Sequence, residues 1–211
     1  MIIAIDGPAA AGKGTLARRI ADALGYAHLD TGALYRAVGL GVRRAGQDPA
    51  DAAAALAAAQ TLDPAGLTDP ALREEETGKA ASIVSAHPAV RAALLDFQRE
   101  FAQSPPHGAA GAVIEGRDIG TVVCPDADVK LFIEADLEVR AARRLAELQQ
   151  QDPSLRLDEV RAEMAERDQR DRNRADSPLR PAPDAHLLDT TDLDIDGAFL
   201  AAMKVIGGHE E

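Results

Sequence analysis

A glycine-rich run near the start of the chain has the residue types and spacing to bind phosphate. Glycines stand at positions 7 and 12 and a lysine at 13, which fits the pattern Gly-x4-Gly-Lys. Glycines let the backbone curl around phosphate oxygens, the N-terminus of the next helix adds positive partial charge, and the lysine reaches the β- and γ-phosphates. A ligand-free glycine turn is the alternative, and the strand–loop–helix setting disfavours it. The run predicts that a nucleoside triphosphate is held by Gly7, Pro8, Ala9, Ala10, Ala11, Gly12, Lys13, Gly14 and Thr15.

The position after the lysine departs from the usual motif. It is Gly14 instead of Ser or Thr, and a hydroxyl follows one residue later at Thr15. We expect Thr15 to contact Mg²⁺, either directly or through water. GTPases, ATPases and small-molecule kinases all use such loops, so the loop predicts the donor and not the acceptor. A guanine-reading Asn-Lys-x-Asp run, which a GTPase would need, does not occur in the sequence.

The elements that must position this loop follow from the apolar pattern. Short apolar segments alternating with helical patterns predict a parallel sheet covered by helices on both faces. Strands are predicted at 2–6, 26–30, 112–115, 129–135 and 186–189. Helices are predicted at 13–24, 31–45 (with Thr31 able to cap it), 51–60, 69–86, 88–103, 136–150, 157–174 and 195–206. The second and third strands are about 80 residues apart, far more than a crossover needs, so the excess predicts a helical substrate lobe at the carboxyl edge of the sheet.

Composition excludes several classes of protein. The net charge of −12 argues against a duplex-DNA binder, and an aromatic content of 3% leaves little material for stacking single-stranded bases. Cys124 is the only cysteine, which excludes an intramolecular disulfide and fits a reducing cytosol. Neither a signal peptide nor a membrane span is apparent in the sequence, so we expect a cytoplasmic protein.

Four runs carry a resemblance to a known family. They are Gly-Pro-Ala-Ala-Ala-Gly-Lys-Gly-Thr at 7–15, Leu-Asp-Thr-Gly-Ala-Leu-Tyr-Arg at 29–36, Glu-Gly-Arg-Asp-Ile-Gly-Thr-Val-Val at 115–123 and Arg-Asp-Gln-Arg-Asp-Arg-Asn-Arg at 167–174. In this order they resemble the cytidylate kinases of the bacterial type, within the nucleoside monophosphate kinases. The resemblance covers nearly the whole chain and implies transfer of the γ-phosphoryl of ATP to CMP or dCMP with Mg²⁺.

The resemblance also implies an α/β P-loop kinase fold with a five-stranded parallel sheet flanked by helices. The core would comprise 1–31 and 105–211, a helical insert at 32–104 would bind the acceptor monophosphate, and 151–176 would form a short helical lid. The family leads us to expect a monomer that acts on small nucleotides, with no nucleic-acid polymer or membrane as partner.

The acceptor side of the site is assigned by the resemblance. Thr31, Tyr35 and Arg36 hold the acceptor nucleotide, with Arg36 on its phosphate. Arg117 and Asp118 lie against the same phosphate, although Asp118 could instead orient Arg117 or a water on Mg²⁺. Helix capping by Thr31 and a purely structural Arg117–Asp118 ion pair are the alternatives.

The charged segment 156–180 contains seven arginines and seven acidic residues. A surface helix laced with salt bridges is one interpretation. Arg167, Asp171 and Arg174, however, share one helical face. By resemblance, Asp171 holds the ribose, Arg174 reads cytosine, Arg167 meets phosphates, and Arg143 faces the donor phosphates.

Two residues of the insert owe their assignment to the resemblance alone. Ser82 and Arg91 align with base-contacting positions. Some family members carry a small antiparallel sheet where residues 61–70 look like a loop here, which leaves the shape of the insert open. The residues expected to take part in catalysis are Lys13, Arg117, Asp118, Arg143 and Arg167.

Two rival functions stay open. A related kinase acting on UMP or on an alcohol would share the fold, although an alcohol acceptor would need a carboxylate base where Arg36 and Arg117 are expected. A nucleotide-dependent switch would bind ATP without turnover stimulated by CMP.

Overall fold

The strands form one parallel sheet at the centre of the molecule. A computed structural model describes residues 1–63, 67–150 and 152–208. The strands are β1 (Ile2–Asp6), β2 (Ala27–Asp30), β3 (Ala112–Gly116), β4 (Val129–Glu134) and β5 (His186–Asp189). Their order is β2-β3-β1-β4-β5, and every pairing is parallel. All carboxyl ends therefore meet at one edge, which confirms the predicted five-stranded parallel sheet.

Eight α-helices accompany the strands within the described ranges. They are α1 (Lys13–Leu24), α2 (Thr31–Arg44), α3 (Ala52–Gln60), α4 (Glu75–Val84), α5 (Pro88–Gln103), α6 (Leu137–Leu148), α7 (Leu157–Arg172) and α8 (Ile195–Gly207). The predicted helices agree to within a few residues, with one exception. The segment 69–86 was expected to be a single helix, and that expectation is wrong.

The break in this segment lies at Glu74. A 3-10 turn, Pro70–Arg73, is capped by the Asp69 carboxylate, and the backbone then becomes extended (φ −61°, ψ 146°) before α4 begins. The redirected helix packs against α2 so closely that a Cβ on Gly39 would lie 2.9 Å from the Ala81 nitrogen. Tertiary contact with α2 therefore sets the axis of α4 and overrides the continuous helical pattern.

Alternation along β1 gives the sheet two covered faces. Ile3 and Ile5 are fully buried in a cluster with α1 and α8, whereas Ala4 faces a second cluster that includes Ile114 and Ile119. Side chains of a strand point to opposite faces in turn, so a run of apolar residues buries both. A π-helical turn at Ile119–Val123, which was not predicted, forms part of the second cluster.

Helices α2 to α5 have a core of their own. Leu34, Val38, Val84 and Leu94 are buried together there, apart from the sheet clusters. Residues 61–63 and 67–69 next to it contain no strand, in agreement with the loop predicted at 61–70, of which 64–66 lie outside the described residues. In the described part of the chain, no helix has the length and apolar character needed to cross a membrane.

Candidate active site

The phosphate loop joins β1 to α1 at the carboxyl edge of the sheet. At Gly7 the backbone passes so close to β4 that a Cβ would lie 2.2 Å from the Ile133 carbonyl oxygen. Gly12 has a left-handed backbone (φ 86°) and begins α1. Both glycines are thus required by geometry, and the N-terminus of α1 opens toward the cleft as predicted.

Lys13 lies beneath this loop with only 8% of its surface exposed. Its Nζ donates to the Pro8 carbonyl oxygen at 3.3 Å. Burial, helped by the nearby Arg117 guanidinium, lowers the pKa of Lys13 to about 7, while Glu115 and Asp30 oppose that shift. A desolvated ammonium with so few partners is suited to donate hydrogen bonds to a phosphate oxygen.

A cleft of about 1250 Å³ lies beside the loop. Its wall includes residues 9–15, the ends of β2 and β3, and parts of α4, α6, α7 and α8. Its cationic lining includes Lys13, Arg36, Arg117, Arg143, Arg144, Arg167 and Arg170, and acidic residues such as Asp30, Glu75 and Glu115 line it as well.

Four of these cations, Lys13, Arg36, Arg117 and Arg167, form what we call the cation cluster. Burial lowers the pKa of Arg167 to about 10, and Arg117 and Arg36 add to the shift. Burial likewise lowers the pKa of Arg36, with Arg144 and Arg117 contributing. Among the described residues, none accepts a hydrogen bond from the buried Arg167 Nε. Such mutual repulsion and a free buried donor are the features of a site built for a polyanion.

A second group of polar residues lies behind the cation cluster, and we call it the inner cluster. Its first pair is Arg91 and Asp118, whose side chains are 7% and 6% exposed and form an ion pair. The Arg91 guanidinium also lies 5.5 Å from the centre of the Tyr35 ring and donates to the Ser85 carbonyl. Asp118 thus contacts Arg91, which was predicted to contact the base. Of the neighbouring residues Arg117 and Asp118, it is Arg117 that lines the cleft.

The second charged group of the inner cluster is centred on Asp171, which lies between two arginines. Its carboxylate accepts from Arg117 Nε at 3.1 Å and from the Arg174 guanidinium, and its side chain is 2% exposed. Burial opposes ionisation of Asp171, yet the neighbouring Arg117 and Arg174 outweigh it and lower its pKa. Asp171 therefore points inward as predicted, but α7 ends at Arg172, so Arg174 reaches Asp171 from the residues that follow the helix.

Two serines connect α7 to the end of α4. Arg170 Nε donates to Ser82 Oγ at 3.3 Å, and Arg174 Nη2 donates to Ser85 Oγ at 2.9 Å. Ser85 was missed in the sequence because a serine just past a helix end has no distinctive pattern. The inner cluster comprises Tyr35, Ser82, Ser85, Arg91, Asp118, Asp171 and Arg174.

Thr31 contacts the third strand and does not cap α2. Asp30 is the cap, since its carboxylate accepts from the Ala33 N–H at 3.2 Å. The Thr31 hydroxyl donates to the Glu115 carbonyl at 2.8 Å. The capping role considered for Thr31 is therefore wrong, because the hydroxyl is drawn to β3 and the preceding carboxylate is already in place.

Arg143 lines the cleft on the far side of the phosphate loop. It donates to the carbonyls of Thr190 at 2.8 Å and Leu193 at 3.3 Å, in the loop after β5. The Thr190 hydroxyl in turn donates to the Ala11 carbonyl at 3.1 Å. Leu193 and Ile195, which also line this end of the cleft, were not singled out in the sequence because they look like ordinary apolar residues.

Oxygen groups that suit a divalent cation border the phosphate loop. Thr15 is exposed in the cleft, and Asp30 and Glu115 line it as well. Mg²⁺ prefers oxygen, keeps several waters and bridges phosphates. No cluster of three or more His, Cys, Asp or Glu suited to a metal occurs among the described residues. The residues therefore fit an ion that arrives with a triphosphate.

Asp6, at the end of β1, supports the segment that carries Arg117 and Asp118. Its carboxylate accepts from the Ile119 and Gly120 N–H groups, both at 2.8 Å. Burial raises the pKa of Asp6 from its ordinary value of 3.8 to about 6, although those two bonds oppose the shift and Asp118 adds to it. The residue was missed because its partners are more than 110 positions away.

The raised pKa of Asp6 predicts a pH-dependent stability. The folded chain binds this proton more tightly than the unfolded chain, so the contribution of Asp6 to the free energy of unfolding falls as pH rises from about 4 to about 6. Asp6→Asn, which cannot ionise, should therefore gain about 2–3 kcal/mol relative to the parent between pH 4 and pH 7. Urea denaturation across this range measures the difference, with the exposed Asp22→Asn as matched control. A difference that stays constant with pH for Asp6→Asn would contradict the assignment.

Known proteins match almost the whole chain. The cytidylate kinase family model matches residues 3–206. A cytidylate kinase of Paramagnetospirillum magneticum is 61% identical over 206 residues, covering 98% of this chain and 97% of the relative. One of Rhodospirillum rubrum is 58% identical with the same coverage. The crystal structure of an uncharacterized protein from Eubacterium ventriosum matches with a TM-score of 0.58 at 13% identity, over 98% of both chains, which shows the fold alone.

The family model thus covers nearly the whole chain, and the two relatives share 61% and 58% of its residues. This chain belongs to the cytidylate kinase family.

Proposed function

We propose that the chain transfers the γ-phosphoryl group of ATP to the 5′-phosphate of CMP or dCMP, giving ADP and CDP or dCDP. Membership of the cytidylate kinase family supports the reaction. The single structural observation that carries the proposal is the cation cluster between the phosphate loop and the inner cluster. Two anionic groups must be brought together in such a reaction, and buried cations offset their repulsion.

The acceptor phosphate is proposed to bind at Arg36, Arg117 and Thr31. Arg36 and Arg117 line the cleft opposite the loop, and a glycine at position 78 gives the Arg36 guanidinium room, since a Cβ there would lie 3.1 Å from its Nη1. Guanidinium groups match phosphate oxygens with paired donors. Arg167, with its free Nε, is proposed to bind the group in transfer.

The acceptor nucleoside is proposed to occupy the inner cluster. Cytosine presents an amino donor beside ring acceptors, and the cluster offers carboxylate, hydroxyl and guanidinium groups at Asp118, Ser82 and Arg91. Pairing of Asp118 with Arg91 favours a base-contacting role for Asp118 over the phosphate role first expected. Asp171 and Arg174 remain proposed for ribose and base. The nucleotide must displace several of the ion pairs that these residues now make with one another.

The donor is proposed to lie along residues 7–15, with its phosphates facing Arg143 and its base toward the loop after β5. Lys13 would bind the β- and γ-phosphates, and Thr15 would hold Mg²⁺ directly or through water. The ion would supply charge neutralisation on the triphosphate. An oxygen of the acceptor phosphate attacks the γ-phosphorus, the bond to the β–γ bridging oxygen breaks, and ADP leaves with that electron pair. An acceptor that is already anionic needs no strong general base.

The domain boundaries proposed are a core of 1–31 and 105–211 and an acceptor-binding insert of 32–104. The separate core of α2 to α5 supports the insert. The lid is proposed at 151–176, which contains α7; Gln151 lies outside the described residues. Closure of insert and lid would exclude water that could otherwise hydrolyse ATP.

A coupled assay with ATP, Mg²⁺ and a panel of nucleoside monophosphates tests the reaction. We expect ADP release to depend on CMP or dCMP and to stop on chelation of Mg²⁺. Turnover with UMP alone would favour the related kinase, and ATP binding without CMP-stimulated turnover would favour a switch; either result would refute the proposal. We also propose that the protein is cytoplasmic, acts on free nucleotides and is a monomer. Its mass in solution, measured with and without CMP, tests the monomeric state.

A further inference from the structure

Arg140 on α6 joins the phosphate loop to the lid helix. Its residue is 3% exposed, and its guanidinium reaches three different elements. Nε donates to the Ala135 carbonyl at 2.8 Å, Nη1 to the Ala9 carbonyl at 3.2 Å, and Nη2 to the Asp168 carboxylate on α7 at 2.7 Å. The contact with Ala9 is made inside the loop that the donor phosphates would occupy.

In the part of the chain that the structure describes, Asp168 has no hydrogen-bond or ion-pair partner other than Arg140. The residue is 4% exposed, and among the described residues its second carboxylate oxygen has no hydrogen-bond partner. Burial of a carboxylate is costly unless a cation compensates for it. The Asp168 side chain is therefore committed to Arg140, and α7 carries it there only while that helix is packed against α6.

The Ala9 contact fixes the direction of a neighbouring donor. In a trans peptide, the carbonyl of one residue and the N–H of the next point in opposite directions. The peptide bonds of the described residues are all trans, and Arg140 draws the Ala9 carbonyl toward the buried side of the loop. The Ala10 N–H consequently points the other way, and no described residue accepts a hydrogen bond from it. Ala10 lines the cleft.

The backbone of Ala10 shows that this peptide is held against its preference. Its φ is 56°, in the left-handed region that residues with a Cβ rarely adopt. Such a conformation persists when surrounding contacts determine it. The Ala10 side chain packs against a small apolar core of α6 and α7 that includes Val160 and Met164. A backbone contact and a side-chain contact thus link this one peptide to the lid helix.

We propose that Arg140, held in place by Asp168, is a positioning residue that aims the Ala10 N–H at the donor phosphates when α7 is docked. The inference rests on the proposed donor site. Donor binding by the phosphate loop would then depend on the packing of α7 against α6. Arg140, which itself touches no substrate, would transmit this dependence. Arg140 thus contacts the loop itself, whereas Arg143 stays proposed to face the donor phosphates.

The test is calorimetric titration of Mg-ADP and, separately, of CMP into Arg140→Met, Asp168→Ala and Asp168→Asn. We expect the Kd for ADP to rise about 10- to 100-fold in Arg140→Met, the value of one charge-assisted hydrogen bond. Asp168→Ala should act in the same direction, and Asp168→Asn, which keeps an oxygen for Arg140, should recover part of the loss. The Kd for CMP should change less than threefold. The variant that combines Arg140→Met with Asp168→Ala should have the same Kd for ADP as Arg140→Met alone, because both residues act through one peptide.

Glu138→Gln provides the matched control. Glu138 pairs with Arg161 at 2.9 Å, so it also joins α6 to α7, but at the surface and without reaching the loop. Its ADP affinity should stay within about twofold of the parent. Unchanged ADP affinity in the folded variants, an equal loss of ADP and CMP affinity, or the same loss in Glu138→Gln would each overturn the proposal. If Arg140→Met does not fold, the two Asp168 variants decide it. Because ADP binding needs no turnover, absence of CMP kinase activity in the parent would refute the proposed function and leave this result readable.

Discussion

Replacing Lys13 with methionine is expected to lower kcat by about 10³-fold, because the transferring phosphoryl group loses a buried cation at the point where charge develops. Lys13 is 8% exposed, and its Nζ bonds only weakly to the Pro8 carbonyl at 3.3 Å, so the ammonium is free to move to a phosphate. The coupled assay at saturating ATP and CMP measures the effect.

The same substitution should not damage the fold. Burial lowers the pKa of Lys13 to about 7, which means that the folded chain tolerates the ammonium poorly. A methionine of similar length keeps the packing of the stem, and the free energy of unfolding should stay equal or rise. Lys204→Met, at an exposed position of α8, is the control for loss of one lysine. A Lys13→Met variant that keeps a tenth or more of the parental kcat would mean that the loop does not hold the transferring group.

Local chemistry explains why so much of the fold could be predicted. Strands β1, β3 and β4 are almost entirely buried and therefore appear as short continuous apolar runs, and the phosphate loop lies within one stretch of nine residues. The failure at 69–86 has the opposite origin. The direction of α4 depends on its contact with α2 at Gly39 and Ala81, which no local pattern records.

The missed site residues share a dependence on distant partners. Asp6 bonds to backbone groups at 119 and 120, and Asp168 acts through Arg140 at the phosphate loop. In the sequence, Asp6 is merely the last residue of a strand and Asp168 one of several acids on a charged helix. The resemblance supplied Arg91, Asp171 and Arg174, whereas only coordinates could place Asp118 beside Arg91.

The inner cluster, which is proposed to hold the acceptor nucleoside, has paired buried charges. Asp118 pairs with Arg91, and Asp171 pairs with Arg174 and with Arg117 of the cation cluster. Unpaired, they would each cost several kcal/mol. A nucleotide that enters must therefore exchange these ion pairs for contacts of equal quality, and an incorrect base would leave buried groups unsatisfied. Selectivity then comes from the cost of an incomplete exchange.

Arg174→Ala is expected to raise the KM for CMP by about 100-fold, the value of one buried charge-assisted hydrogen bond, while the KM for ATP stays within about threefold. The Arg174 side chain is 7% exposed and lies between Asp171 and Ser85, away from residues 7–15. Steady-state kinetics with each nucleotide varied in turn measures both constants.

The fold should survive this change because the partners of Arg174 keep other contacts. Asp171 retains Arg117 at 3.1 Å, and the Ser85 hydroxyl still donates to the Ser82 carbonyl at 3.0 Å. Arg172→Ala removes an exposed arginine two residues earlier, at the end of α7, and should leave both KM values unchanged. Equal increases for ATP and CMP in Arg174→Ala would indicate a loss of lid docking and would remove Arg174 from the acceptor site. A selective increase for CMP would mean that the segment just after α7 contributes directly to acceptor recognition, since Arg174 then supplies a contact that the helices of the insert alone do not.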